Sequence, residues 1–461
     1  MFVGRKKELK YLEENYRKEG SRLLVLYGHR GVGKTALLKQ FAQQKAAHYY
    51  AARPCSEAQQ LKLWREELAE QEWEDGGNAA AQAADYAGVL AHIGRALAAK
   101  GAGKGLIVID EFQHLIKYSE GFMQALTDQL KDAEAPCMVV LLSSSISFVE
   151  TDFVPRIGSL ALGISAFYKL PQMGFMDCVN FFKDYSTRQC MEVYSILGGI
   201  PAYWSAFDPK LSVEDNIRLK ILAENAPLRE EGERIVLAEL RELNVYSTLL
   251  SGLSSGLNKL NELHVHSGCS RAKISVYLKN LMERELVEKI FPFDSASSAN
   301  AKKGVYRVSL RFLEFYFCFV FSRQSFLSAM DTDAYFEKYV APKLSAFHQG
   351  NFRKVCGEYL QILNSNNMLP IKSVREGEWI GKKGSIDIVL QDEEWENILA
   401  FCDWQKEVVG VEELEAYRQI AEEARLHADH MYLFAAGRFS DELKAMAEEN
   451  KSLKLIDIDT L

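Results

Sequence analysis

One stretch, Leu23 to Phe41 (LLVLYGHRGVGKTALLKQF), constrains this chain more than any other. Leu23 to Tyr27 is an apolar run of strand length. A glycine-rich turn follows from Gly28 to Gly33. Lys34 and Thr35 then open a helical run that carries Ala36, Leu37, Leu38 and Phe41 at core-facing spacing. This is G-x-x-x-x-G-K-[ST] with a strand before it and a helix after it, the context in which the motif binds phosphate. Glycines let successive backbone N–H groups converge on an anion, and the helix N-terminus adds its partial positive charge at the same point. The predicted nucleotide-binding residues are Gly28, His29, Arg30, Gly31, Val32, Gly33, Lys34, Thr35 and Ala36. In such a loop the lysine reaches the β- and γ-phosphates and the hydroxyl ligates Mg²⁺. ATP and Mg²⁺ are therefore the predicted cofactors.

With 461 residues the chain exceeds one core, and about three domains are expected. Hydrophobic residues make up 48% and charged residues 26%, the balance of an ordinary globular protein. A net charge of −8 argues against a protein coated with nucleic acid along its length, but leaves room for a local basic face. Eight cysteines are scattered without a C-x-x-C pair, so neither a zinc site nor a disulfide framework is indicated. Reduced thiols and the lack of a signal-peptide pattern in MFVGRKKELK predict a cytoplasmic protein. The run FLEFYFCFVF at 312–321 is too short to span a bilayer and reads as a buried helix.

Along the chain, Glu8, Leu9 and Leu12 fit an amphipathic helix after Gly4. Residues 59–74 read as a polar helix, EDGGN at 74–78 as a loop, and Ala79 to Lys100 as an alanine-rich helix. LIVIDEFQHL at 106–115 gives a buried parallel strand ending in Asp110 and Glu111. Ligands of open α/β sheets bind at that carboxyl edge. Asp110 is predicted to share the metal with Thr35, and Glu111 to polarise the attacking water. A third strand, CMVVLLSSS at 137–145, ends in serines, of which Ser144 is chosen by position. Glu111, Lys34 and Ser144 are thus the predicted catalytic set. Arg156 is the nearest downstream arginine within reach of a phosphate, and is read as a surface residue in preference to that role.

Helices broken by GGIP at 198–201 fill 175–230. Three helices (234–251, 257–265, 270–284) and a hairpin (Val287–Phe293, Gly304–Leu310) then predict a winged helix. Its third helix and hairpin carry Arg271, Lys273, Lys279, Arg284, Lys302, Lys303 and Arg307, a basic edge suited to DNA. A helical connector is expected over 311–345, then a small α/β domain with strands at 385–390, 397–404, 431–436 and 453–458. Asp387 and Asp403, on neighbouring strands of it, are candidate metal ligands. His427 and His430, read as three apart on a helix, and the pair His264 and His266 are read as solvated helix faces.

FVGRKKEL, GHRGVGKTALL, LIVIDEFQHL, the serine-ended strand and LGGIPAY at 197–203 resemble the archaeal-type P-loop ATPases of the AAA+/STAND group. The likeness continues through YLKNLMERELVEKI and YRVSLRFLEFYF to a C-terminal domain similar to PD-(D/E)xK nucleases. It implies an α/β fold: a P-loop parallel sheet (1–172), a helical lid (173–232), a winged helix (233–310), a connector and a nuclease-like domain (346–461). Relatives end the segment after the serine strand in Gly-Arg, and Ile164 stands here where that arginine would lie; in the nuclease-like domain they carry Phe-Glu, an Asp and Glu-Cys-Lys, of which this chain keeps only Asp387. Arg353 replaces one of those carboxylates, so no nuclease activity is expected, with Glu358 and Asp403 the residues available to compensate. The expected activity is an ATP-driven switch, a Mg²⁺-dependent ATPase. The alternatives are a DNA-binding regulatory module with structural nucleotide and an ATP-regulated nuclease. ATP, DNA and a protein are the expected partners, no membrane contact is expected, and oligomerisation is left open.

Overall fold

The computed structural model describes residues 2–70, 83–100, 103–119, 121–132, 134–293, 304–382 and 384–461. The described chain divides into two compact units, Met1–Gln172 with Ile200–Ala202, and Met173–Gly199 with Tyr203–Leu461. The loop expected at 74–78, the first turn expected from Ala79, and Lys302 and Lys303 lie outside the described residues.

The first unit is built on a five-stranded parallel sheet in the order β2-β3-β4-β1-β5. Its strands are β1 (Arg22–Tyr27), β2 (Ala47–Ala51), β3 (Gly105–Asp110), β4 (Cys137–Ser143) and β5 (Ala166–Lys169). Every residue of β3 and β4 is buried, which explains their unbroken apolar sequences: a central parallel strand is covered on both faces. Helices Lys6–Arg17, Lys34–Ala42, Glu57–Ala69 and Tyr86–Ala99 belong to this unit. Val25, Ile107, Ile109, Val139 and Leu141 pack with Trp64, Leu90 and Phe122 in one core. The sequence reading missed β2 and β5. Both are short edge strands whose burial is alternating or partial, so neither shows the apolar run that marks the inner three.

The second unit begins with helices, including Phe175–Phe181 and Thr187–Leu197. The helix expected over 234–251 is two helices, Glu231–Glu239 and Leu243–Ser254, parted at Leu240–Glu242. Leu260–Ser267 and Arg271–Glu283 follow, then an antiparallel ribbon of β6 (Val287–Ile290) and β7 (Val305–Val308), shorter than expected. Residues 311–320 are helical and largely buried, with Glu314 held by Arg311 at 3.0 Å. One helix, Ala341–Ser365, runs through the boundary expected near 345. Among the described residues no helix is long and apolar enough to cross a membrane.

The last sheet is ordered β14-β12-β10-β9-β8. It consists of β8 (Arg375–Ile380), β9 (Ser385–Gln391), β10 (Asn397–Asp403), β12 (His430–Ala435) and β14 (Leu453–Asp457), with the small pair β11 (Val408–Val409) and β13 (Arg438–Phe439) beside it. β10, β12 and β14 are parallel, and β8 and β9 antiparallel. The edge strand β8 was not expected. His427 lies in the loop after the helix Val411–Ala424 and His430 starts β12, so the two do not share a helix.

Candidate nucleotide site

The loop between β1 and the helix Lys34–Ala42 can close tightly only because of its glycines. Gly28 has φ 153°, and a Cβ there would stand 2.6 Å from the Leu170 carbonyl oxygen. Gly31 has φ 79°, and its Cβ would meet that of Ala202 at 2.9 Å. Side chains at either place would force the backbone apart. The Ala202 N–H also donates to the Gly31 carbonyl at 3.3 Å, so part of LGGIPAY braces the loop directly.

Within the loop, His29 is half-buried, Arg30 and Ala36 are exposed, and Val32 is buried. Gly33 caps the helix in a left-handed conformation, leaving the first-turn N–H groups pointing out of the helix end. The Lys34 ammonium donates to the carbonyls of Gly28 at 2.9 Å and His29 at 3.0 Å. Two of its three donors are used, leaving one for an anion. Burial pushes Lys34 below its ordinary pKa, while the carboxylates of Glu111 and Asp110 pull it back up.

The sheet brings Asp110 and Glu111 to this loop. The Thr35 hydroxyl donates to Asp110 Oδ2 at 2.7 Å, uniting the two predicted metal ligands. Asp110 is buried, and its Oδ1 accepts the Glu111 N–H at 2.9 Å. Glu111 holds φ 52°, an uncommon conformation for a residue with a side chain and one that clusters at functional sites. Its Oε2 accepts from the Ser144 hydroxyl at 2.7 Å and the Ser144 N–H at 3.2 Å. The residue chosen only for its place at a strand end is therefore bonded to the acid beside it. Arg156 is exposed. A hydroxyl and a carboxylate sharing one hydrogen bond at the mouth of the loop are hard oxygen donors, which fits Mg²⁺.

Three residues of this site were not assigned from sequence. Tyr49, on β2, donates its hydroxyl to Asp110 Oδ2 at 2.6 Å. Gln113 donates to Glu111 Oε2 and accepts from the Ser143 hydroxyl at 2.8 Å. Arg5, buried and at φ 61°, donates from Nη2 to the carbonyls of Val32 at 2.9 Å and Pro171 at 2.8 Å, while Nη1 meets Glu8 at 3.1 Å. Gln113 and Arg5 sit in quoted motifs, DEFQ and FVGR, which gave a signal. Tyr49 sits in an unrecognised strand, which gave none.

The candidate residues elsewhere are differently engaged. Arg353 and Arg307 both donate to Glu378 Oε2, at 2.9 and 2.8 Å. Arg307 is thus turned into the protein rather than onto an exposed basic edge. Asp387 Oδ2 accepts the Cys402 N–H at 2.9 Å, and burial pushes its carboxyl up to about 6 against the pull of that bond and of Arg353. Asp403 caps the N–H groups of Gln405 and Lys406. Glu358 accepts from the Phe175 N–H and the Tyr194 hydroxyl, both at 2.8 Å, so it is committed to two other helices rather than to a rebuilt metal site. Among the described residues no group of three or more His, Cys, Asp or Glu is placed to hold a metal. His427 contacts Asp429 at 2.8 Å, and His264 bonds the Cys269 carbonyl at 2.6 Å. All eight cysteines are free thiols. Arg271, Lys273 and Lys279 are exposed on the helix Arg271–Glu283.

A parallel sheet carrying a glycine phosphate loop, with an Asp–Glu pair beside it, defines a P-loop ATPase fold. Residues 2–207 match a family described as an ATPase domain predominantly from Archaea, and residues 316–418 match one described as archaeal and bacterial proteins of unknown function. The chain belongs to the archaeal-type P-loop ATPases. It is 26% identical over 437 residues to an uncharacterised protein of Methanocaldococcus jannaschii, covering 92% of each. It is 49% identical over 45 residues to an uncharacterised ATP-binding protein of the same organism, covering 10% of this chain and 76% of that one. Among solved structures it is similar to a Walker-type ATPase of Pyrococcus abyssi (16% identity, TM-score 0.48, 68% of this chain and 96% of that one). The ORC2 protein of Aeropyrum pernix is another (13%, TM-score 0.47, 70% and 94%).

Proposed function

We propose that this chain binds and hydrolyses ATP with Mg²⁺ and uses the nucleotide state as a switch for its later domains. One observation carries this reading: Lys34, Thr35 and Asp110 converge at the carboxyl edge of the sheet, with Glu111 and Ser144 joined beside them. Loop N–H groups and the spare Lys34 donor would hold the β- and γ-phosphates. Thr35 and Asp110 would hold the metal, which supplies charge neutralisation at the phosphates. Glu111 would orient and deprotonate water, its Oε2 fixed by Ser144 and Gln113 so that Oε1 is left for the water. Catalysis of this kind is positioning plus electrostatics. Phosphate release by the purified protein tests the reading: Glu111→Gln should keep ATP binding and lose turnover. Unchanged turnover in that variant would remove Glu111 from its role.

The segment Leu243–Val308 reads as a winged helix, and the domain after it as a nuclease-like fold that does not cut. The Arg353–Glu378–Arg307 cluster, whose charges act on Asp387, supports the second point, since two guanidinium groups near that carboxylate would repel a cation. A second function, DNA contact, is favoured by the outward face of the helix Arg271–Glu283, where Arg271, Lys273 and Lys279 accompany an exposed Val276. Base edges and a thymine methyl suit that mix of side chains. Binding that weakens with salt, and whose salt slope falls by about one for each of Lys273→Ala and Lys279→Ala, would support it. A slope unaltered in both variants would exclude this face.

A further inference from the structure

Asp110 offers about four acceptor positions on its two oxygens. Three are filled: Oδ1 by the Glu111 N–H, and Oδ2 by both the Thr35 and Tyr49 hydroxyls. Thr35 belongs to the phosphate loop and Glu111 is the next residue of the chain. Tyr49 comes from neither. It reaches Asp110 from the neighbouring edge strand, where Tyr50 pairs with Ile109 and Ala51 with Asp110.

The Tyr49 side chain is not a core anchor. It is 37% exposed, whereas its neighbours His48 and Tyr50 are buried. Strand alternation therefore puts Tyr49 on the outward side of β2, with its hydroxyl turned to Asp110. That hydroxyl is a dependable donor. A phenol is protonated at neutral pH, and at 2.6 Å from Asp110 Oδ2 it donates to that carboxylate.

We infer that Tyr49 is a positioning residue for the metal site, saturating Asp110 Oδ2 so that the remaining position on Oδ1 is the one presented to a metal-bound water. The inference rests on the proposed ATP and Mg²⁺ reading and adds to it a residue outside the motif. Without the hydroxyl, Oδ2 keeps a single donor and the carboxylate is free to rotate about its Cβ–Cγ bond. Outer partners of metal-binding carboxylates typically contribute about 10-fold or more in metal affinity.

The test is a titration of ATP binding by the full chain, wild type and Tyr49→Phe, in EDTA and across a range of Mg²⁺. The exposed ring is retained in the variant, so the fold is expected to be unaffected, and circular dichroism checks this. The inference expects equal ATP affinity in EDTA and a Mg²⁺ midpoint about 10-fold higher in the variant. Equal midpoints in the two proteins would overturn it while leaving the ATP reading intact. A matching loss of ATP affinity in EDTA would also overturn it, since Tyr49 would then act through the loop and not the metal. If the wild-type chain binds no ATP under any condition, the phosphate-loop reading fails and this inference falls with it.

Discussion

His348 should make the second unit acid-sensitive, by an amount the structure allows to be worked out. The imidazole is 4% exposed and its Nδ1 is hydrogen-bonded to the Ser195 hydroxyl, which in turn donates to the Glu192 carbonyl at 2.7 Å. Since that hydroxyl has one proton, His348 Nδ1 is the donor. Burial, with the Arg188 charge adding to it, depresses its pKa from 6.5 to about 3. Between those values the unfolded chain binds a proton that the folded chain refuses. Stability is therefore full above pH 6.5 and is lost progressively as pH falls through the window to about 3. For one such group the loss is about 2 kcal/mol by pH 5 and about 4 kcal/mol by pH 3. Urea unfolding at pH 7 and pH 5 should show that loss in the wild type but not in His348→Gln, whose amide also donates to Ser195 but does not titrate. Any constant cost of the substitution cancels in the pH difference. Wild type and variant losing equal stability on acidification would refute the argument.

Two other substitutions probe single contacts. Arg5→Ala removes the donor to the Val32 and Pro171 carbonyls and should cost about 2–4 kcal/mol; the same loop would bind nucleotide more weakly, and a thermal midpoint equal to wild type would show that the clamp carries no load. Glu378→Ala strands Arg307 and Arg353, whose shared partner is 9% exposed at its side chain, and should cost about 3–5 kcal/mol by chemical denaturation. A cost under about 1 kcal/mol would mean that the two guanidinium groups find other partners.

What was legible in the sequence was local. The phosphate loop declares itself because its glycines, lysine and threonine are needed at fixed spacing in a short segment. β3 and β4 declare themselves because they are buried on both faces. The acids at the end of β3 could be assigned once the loop was known, because a parallel sheet presents its carboxyl edge on one side. Edge strands β2, β5 and β8 escaped because part-exposed segments lack the unbroken apolar run that marks the inner strands. With β2 went Tyr49, whose partner Asp110 is 61 residues away in sequence. The break at Leu240–Glu242 falls among strong helix formers, with no glycine or proline to mark it, so tertiary packing overrides propensity there. Arg307 looked like part of a basic edge because its partner, Glu378, lies on a strand that the sequence pattern did not reveal.

The account stands on the phosphate loop, and calorimetric titration of ATP with Mg²⁺ into wild type and Lys34→Ala tests it most directly. The prediction is saturable one-site binding by the wild type, abolished or weakened at least about 100-fold in the variant, which loses a buried charge-assisted contact worth roughly 3 kcal/mol. Equal affinity in the two proteins, or no heat of binding in the wild type, would contradict it.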